Sequence, residues 1–145
     1  MVEAYATLPF DVRSLVTGRN AVHGSLPAPS APLEDAPAYD PGIASRRPLV
    51  VDHWRTGTPV LYLPKHPHST IDGLPEDEGR AVLAHLWAHT AACSARFEAV
   101  LHSGEVVVWD NIRAVHTNPP YPRDRDRTVW FFLIPGDHEL TATCL

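Results

Sequence analysis

The sequence predicts a mainly β fold with one long helix set between strands, in a single domain over residues 1–145. Three observations carry that expectation. Residues 49–54 and 59–63 are β-prone runs on either side of Arg55-Thr56-Gly57-Thr58, whose glycine permits the positive φ of a tight reversal, so they read as a hairpin. Pro75 with Glu76, Asp77 and Glu78 places a proline and three carboxylates at the positive end of a helix dipole. Val82, Leu83, Leu86, Trp87 and Ala91 then recur at three- and four-residue steps, giving one buried face to about Ala92. Beyond that helix, residues 97–101, 105–109, 113–116 and 128–134 read as strands, divided by Ser103-Gly104 and the turn-rich stretch 117–126.

Earlier in the chain, Ala4, Tyr5, Leu8, Val12, Leu15 and Val16 keep near-helical spacing that Pro9 interrupts. Two short helices are expected there, with Gly18 ending the second. The chain holds 15 prolines, about twice the usual share of roughly 5%. Six of them, Pro27, Pro29, Pro32, Pro37, Pro41 and Pro48, fall in residues 27–48. Proline donates no hydrogen bond to a ladder, so this stretch reads as a long loop or lid.

An apolar fraction of 44% allows one modest core. The net charge of -5 comes from 17 acidic and 12 basic residues spread along the chain, with no basic block to track phosphates. No nucleic-acid partner is expected. No apolar run approaches the roughly 20 residues that cross a bilayer, and the N-terminus lacks a basic start, so no membrane partner is expected and the protein reads as cytoplasmic. Cys93 and Cys144 lie outside any CxxC or Cys/His spacing, which argues against a disulfide framework and a structural zinc site.

The chemistry-bearing stretch runs from Gly104 through Trp109-Asp110-Asn111 to His116, and on to Arg127 and the apolar run that follows. By residue type, His116 ends one expected strand and Arg127 begins the next, and such a pair could flank a small pocket. A neutral imidazole suits iron or zinc, and a guanidinium grips a carboxylate through two parallel hydrogen bonds. Metal plus arginine is one way to seat a chelating keto-acid. A lone histidine at a strand end is also commonly structural or solvated, and both readings stand at this level. Asp110 and Asn111 either orient the histidine or close the turn before it. Trp109, Trp130, Phe131 and Phe132 read as core or pocket wall, and His85 and His89 as a solvated helix face. His66-Pro67-His68 has only Asp72 as a nearby carboxylate, so a turn is a plainer reading than a metal clip.

His116 follows the tryptophan of Trp109-Asp110-Asn111 by seven residues, and Arg127 follows the histidine by eleven. That pattern resembles the signature of the taurine dioxygenase family, iron(II)- and 2-oxoglutarate-dependent enzymes. Upstream, Arg47-Pro48-Leu49-Val50, Thr56-Gly57 and Leu61-Tyr62 resemble the family's "HPLV…TG…LY" hairpin, and Ile71-Asp72-Gly73-Leu74 its "I-x-G-L" connection. Ser103-Gly104-Glu105 is similar to its "PGD" turn. Glu3 to Leu8 is similar to its "AAYEAL" helix, and Gly18 to His23 to the "GLRAEH" turn after it. The resemblance covers nearly the whole chain.

It implies a partial double-stranded β-helix, or jelly roll, with a helix inserted between strands. It implies oxidation of a small-molecule substrate, with Fe(II) as cofactor and 2-oxoglutarate as a co-substrate that loses carbon dioxide to become succinate. His116 would be the distal iron ligand, Arg127 would bind the far carboxylate of 2-oxoglutarate, and Asp110 and Asn111 would be outer partners.

The chain departs from the family in three ways. The family's other two iron ligands come from an H-x-D or H-x-E motif, and none of the nine histidines here has Asp or Glu two residues later. The chain is therefore expected to begin after that motif, with Met1 an internal residue, and to be inactive alone. Several members carry another arginine four residues after the 2-oxoglutarate arginine, where it meets an anionic substrate, and this chain has Phe131 there. Residues 27–48, where family lids contact substrate, are richer in proline. Two other readings stay open: a non-catalytic remnant that binds a small carboxylate or a protein partner, and one half of a split enzyme. Strands missing from a jelly roll would leave open edges, so self-association or a partner chain is expected.

Overall fold

The computed structural model describes residues 1–23, 45–64, 69–93, 95–117, 124, 128–136 and 138–143. The N-terminal periodicity produces two helices, α1 (Val2–Ala6) and α2 (Phe10–Val16), broken at Pro9 as expected. Arg13 straps the break. Its Nη2 donates to the carbonyls of Ala6 and Leu8 at 2.9 and 3.0 Å, which satisfies acceptors that the interrupted helix leaves open. Gly18, at φ +79°, turns the chain out of α2 into β1 (Asn20–His23).

Two three-stranded antiparallel sheets follow. One has the order β2-β1-β5, where β2 is Ser45–Pro48 and β5 is Thr70–Ile71. The other has the order β4-β3-β6, where β3 is Val50–Asp52, β4 is Pro59–Leu61 and β6 is Thr141–Ala142. Leu49 links the two sheets. Its N–H donates to the carbonyl of Arg19 at 2.9 Å, beside β1, and its carbonyl accepts from Tyr62 N–H at 2.7 Å, beside β4. One extended run, β2 through β3, thus serves both sheets, as strands do at the corners of packed sheets. The expected hairpin is present, with Val51 opposite Val60 and Gly57 at φ +64° in the turn.

The long helix α3 (Glu76–Ala92) starts after Pro75 and packs Gly79, Leu83 and Leu86 inward, against β5. Leu49, Val50, Leu61, Ile71 and Leu86 form the centre of the core with Val16 and Ala21, and α1 closes it over β4. Trp87 is half-buried and donates its indole N–H to Pro64 O at 3.0 Å. No helix among the described residues is long and apolar enough to cross a membrane.

Several expectations need correction. Residues 24–44 of the chain, most of the proline-rich stretch, lie outside the described residues, but its end forms β2 rather than loop. His89 is not on a solvated face: its Nε2 lies 3.0 Å from both Thr7 Oγ1 and the Ala4 carbonyl, tying α3 to α1. The four C-terminal strands do not form among the described residues, where residues 97–101, 105–109, 113–116 and 128–134 carry no ladder. Phe97 and Trp130 are 90% and 82% exposed, and Phe131 and Phe132 are open as well, so they are not core. A strand's hydrogen bonds come from its neighbour, and no described segment is placed beside these runs to supply them. β propensity measures fit to a half-buried pleated surface, so composition alone does not make a strand.

Candidate iron and 2-oxoglutarate half-site

The segment from Trp109 to His116 begins with a tight turn built around Asp110. The Asp110 carbonyl accepts from the N–H groups of Arg113 and Ala114 at 3.2 and 3.0 Å, and its Oδ1 accepts from Ile112 N–H at 2.9 Å. This is a side-chain mimic of a backbone turn, the usual role of Asp at such a position. Trp109 Nε1–H donates to Asn111 Oδ1 at 2.7 Å, which fixes the indole. The indole in turn lies against the His116 imidazole, with ring centroids 4.6 Å apart and planes tilted by 54°, and 6.2 Å from the Phe131 ring. Asp110 and Asn111 thus close the turn, and Trp109 is the side chain through which they reach His116.

Asp110 has one more partner, His53 at the end of β3, whose Nε2 is 2.8 Å from Asp110 Oδ2. Burial works to raise the Asp110 pKa. The Ile112 amide, the His53 hydrogen bond and charge, and the Arg113 amide outweigh it and hold the carboxyl below its ordinary range. Asp110 is therefore an ionised acceptor at neutral pH. Nothing local in the sequence marks this contact, because the partners are 57 residues apart. A histidine three residues before Thr56 in a hairpin turn was its one visible trace.

His116 is exposed, and the Trp109 indole is its ring contact at 4.6 Å. Arg127 lies outside the described residues, as do His66 and His68. The described residues contain no group of three or more His, Cys, Asp or Glu side chains able to hold a metal ion. One imidazole does not make a ferrous site, so the residues present fit part of the family's donor set and not the whole of it. A shallow dent lined by Pro64, Ser69, Arg80, Leu83 and Trp87 shares no residue with this segment.

A family profile described as "Taurine catabolism dioxygenase TauD, TfdA family" matches residues 1–132. The chain belongs to the TauD/TfdA dioxygenase family. It is 32% identical over 128 residues to the alpha-ketoglutarate-dependent 2,4-dichlorophenoxyacetate dioxygenase of Cupriavidus pinatubonensis, covering 83% of this chain and 43% of that protein. It is 30% identical over 155 residues to the (S)-phenoxypropionate/alpha-ketoglutarate-dioxygenase of Delftia acidovorans, covering 100% of this chain and 52% of that protein. The chain thus spans about half the length of these relatives. A solved taurine dioxygenase from Burkholderia xenovorans is 31% identical, with a TM-score of 0.46 over 61% of this chain and 27% of that one. Enzymes of the TauD/TfdA family use Fe(II) and 2-oxoglutarate.

Proposed function

We propose that this chain carries the C-terminal half-site of an Fe(II)/2-oxoglutarate-dependent dioxygenase that oxidises a small molecule in the cytoplasm, on the later part of a jelly roll. The observation that carries the reading is the family match over residues 1–132, a range that includes Trp109-Asp110-Asn111, His116 and Arg127. His116 would be one iron ligand, and Arg127 would hold the far carboxylate of 2-oxoglutarate through its planar fork. Iron with 2-oxoglutarate supplies the oxidising chemistry, and the keto-acid is converted to succinate and carbon dioxide. No H-x-D or H-x-E motif lies within these 145 residues, so a complete site takes its other two ligands from further polypeptide, continuous with this chain or separate. Phe131 sits where several family members place a substrate-binding arginine. An aromatic substrate body, as in the names of the two curated relatives, suits that position better than taurine.

The test joins or mixes this chain with polypeptide supplying the H-x-D pair and follows 2-oxoglutarate consumption. Charge-assisted hydrogen bonds contribute on the order of 1.5 to 3 kcal/mol, so Arg127→Ala should weaken apparent 2-oxoglutarate affinity by roughly ten- to a hundredfold. Arg127→Lys should recover part of it, since an ammonium keeps the charge without the fork. Arg125→Ala should change little. Equal small losses in both alanine variants would refute the role of Arg127, and efficient taurine turnover would refute the part given to Phe131.

A further inference from the structure

His53 is buried while the four residues after it, Trp54 to Gly57, are open to solvent. A buried imidazole loses the water on both of its nitrogens and needs replacement partners. Both are present. Nε2 faces Asp110 Oδ2 at 2.8 Å and Nδ1 faces Thr56 Oγ1 at 3.1 Å. An ionised carboxylate can only accept, so Nε2 carries the hydrogen, and in the neutral ring Nδ1 accepts from the Thr56 hydroxyl. The main chain of His53 is pinned as well: its N–H donates to Thr58 O, and its carbonyl accepts from Thr56 and Gly57 N–H at 3.1 and 2.8 Å. The hairpin therefore sets the direction in which this imidazole points.

The consequence runs outward from the core. β3 and β4 are fully packed at Val50, Val51, Val60 and Leu61, so His53 stands on a rigid support. Asp110, held by His53, organises the turn at residues 110–114. Trp109 and Asn111 flank Asp110, and the Trp109 ring meets His116. We propose that His53 is a positioning residue for His116, fixing the Asp110 turn to the β3–β4 hairpin so that the Trp109 ring and the imidazole hold their mutual orientation. Its bearing on catalysis rests on the reading of His116 as an iron ligand, whereas the positioning itself belongs to the metal-free chain.

The test is NMR of the full 145-residue chain, first without metal and then with added Mn(II). In the wild type, the Trp109 and His116 rings should give mutual nuclear Overhauser contacts, and the Ile112 amide should exchange slowly with solvent. His53→Ala should erase the ring contacts and speed Ile112 exchange by roughly five- to tenfold, the loss expected of one partly exposed charge-assisted bond. His53→Gln, whose amide nitrogen takes the place of Nε2, should restore both, which a general loss of stability would not allow. Should His53→Ala lose its dispersed core resonances, His53→Asn, whose amide reproduces the Nδ1 contact to Thr56 but falls short of Asp110, carries the same test. Unchanged ring contacts and exchange in the alanine variant would overturn the proposal. With Mn(II), His116 resonances should broaden first, and several-fold more metal should be needed in His53→Ala but not in His53→Gln. If His116 does not broaden while the metal-free results hold, the positioning stands and the iron-ligand reading falls. If broadening and ring contacts are both indifferent to His53→Ala, the reverse is true.

Discussion

Gly79 faces β5 from the first turns of α3, and replacing it with alanine sets two magnitudes against each other. Alanine is favoured over glycine in a helix interior by about 1 kcal/mol. A Cβ at this position, however, would strike Thr70 Oγ1 and lie 2.9 Å from the backbone nitrogen of Ile71. The Thr70 hydroxyl is buried without a partner, and Ile71 is held in register opposite Ala21 of β1, so neither gives way freely. Overpacking a close-packed contact costs typically 1 to 3 kcal/mol, and a collision with backbone belongs at the upper end. Gly79→Ala should therefore destabilise the chain by about 2 kcal/mol net, roughly 4–8 °C in Tm for a protein of this size. Urea denaturation followed by circular dichroism would measure it. Thr70→Ala removes one of the struck atoms, so Thr70→Ala/Gly79→Ala should be more stable than the sum of its singles by about 1 kcal/mol. Ala88→Gly on the exposed face of α3 should cost about 1 kcal/mol, the bare propensity difference. A Gly79→Ala chain as stable as the wild type, or strict additivity in the cycle, would refute the packing argument.

Two further outcomes are expected. Burial first, and the Arg47 charge second, push the His23 pKa below its ordinary 6.5, so between those two values the unfolded chain holds more protons than the folded one. Stability is then at its full value above about pH 6.5, falls as pH drops through that value, and levels off below the folded pKa. His23→Gln should flatten the pH 5–7 part of the urea-derived stability curve, and equal slopes would count against it. In equilibrium dialysis the 145-residue chain should bind iron(II) weakly, since on the proposed role of His116 it holds one donor of three. Stoichiometric retention at micromolar free metal would point to a different site, with His66 and His68 the first residues to substitute.

What was legible in the sequence was encoded locally. The spacing of Ala4, Tyr5, Leu8, Val12 and Val16, the break at Pro9, the φ freedom of Gly57 and the carboxylates after Pro75 each act within a few residues, and α1, α2, the β3–β4 hairpin and α3 follow from them. What was missed depends on distant partners. β2 hides in Ser45-Arg46-Arg47-Pro48, which has no β character until β1 supplies its ladder. β6 exists because Thr143 N–H donates to Val50 O and Thr143 Oγ1 to Asp52 Oδ1 across 91 residues. The same holds at the candidate site, where the motif containing Asp110 and His116 was visible but the hairpin histidine that grips it was not.

The run at residues 128–134 shows why a strand-like composition does not by itself make a strand. Val129, Trp130, Phe131, Phe132, Leu133 and Ile134 are six consecutive apolar residues, the composition of a strand covered on both faces rather than one. All six are exposed here, with Ile134 at 84%. Full burial of such side chains contributes about 1.5–3 kcal/mol each, so the six together represent roughly 9–18 kcal/mol of unused hydrophobic stabilisation, as large as the net stability of a typical domain. A contiguous exposed apolar run of this kind marks a candidate interaction surface. Among the described residues, α1, α2, α3 and the two small sheets enclose one core. The segment after it carries His116 and the uncovered run, and the His53–Asp110 contact joins it to the β3–β4 hairpin. On the proposed role of His116 as an iron ligand, covering the run and completing its donor set are coupled demands on the same segment. Because the Trp109 ring lies 6.2 Å from that of Phe131 in the run, a polypeptide covering this face, as proposed, should raise the stability of the chain and the order of the Asp110 turn together.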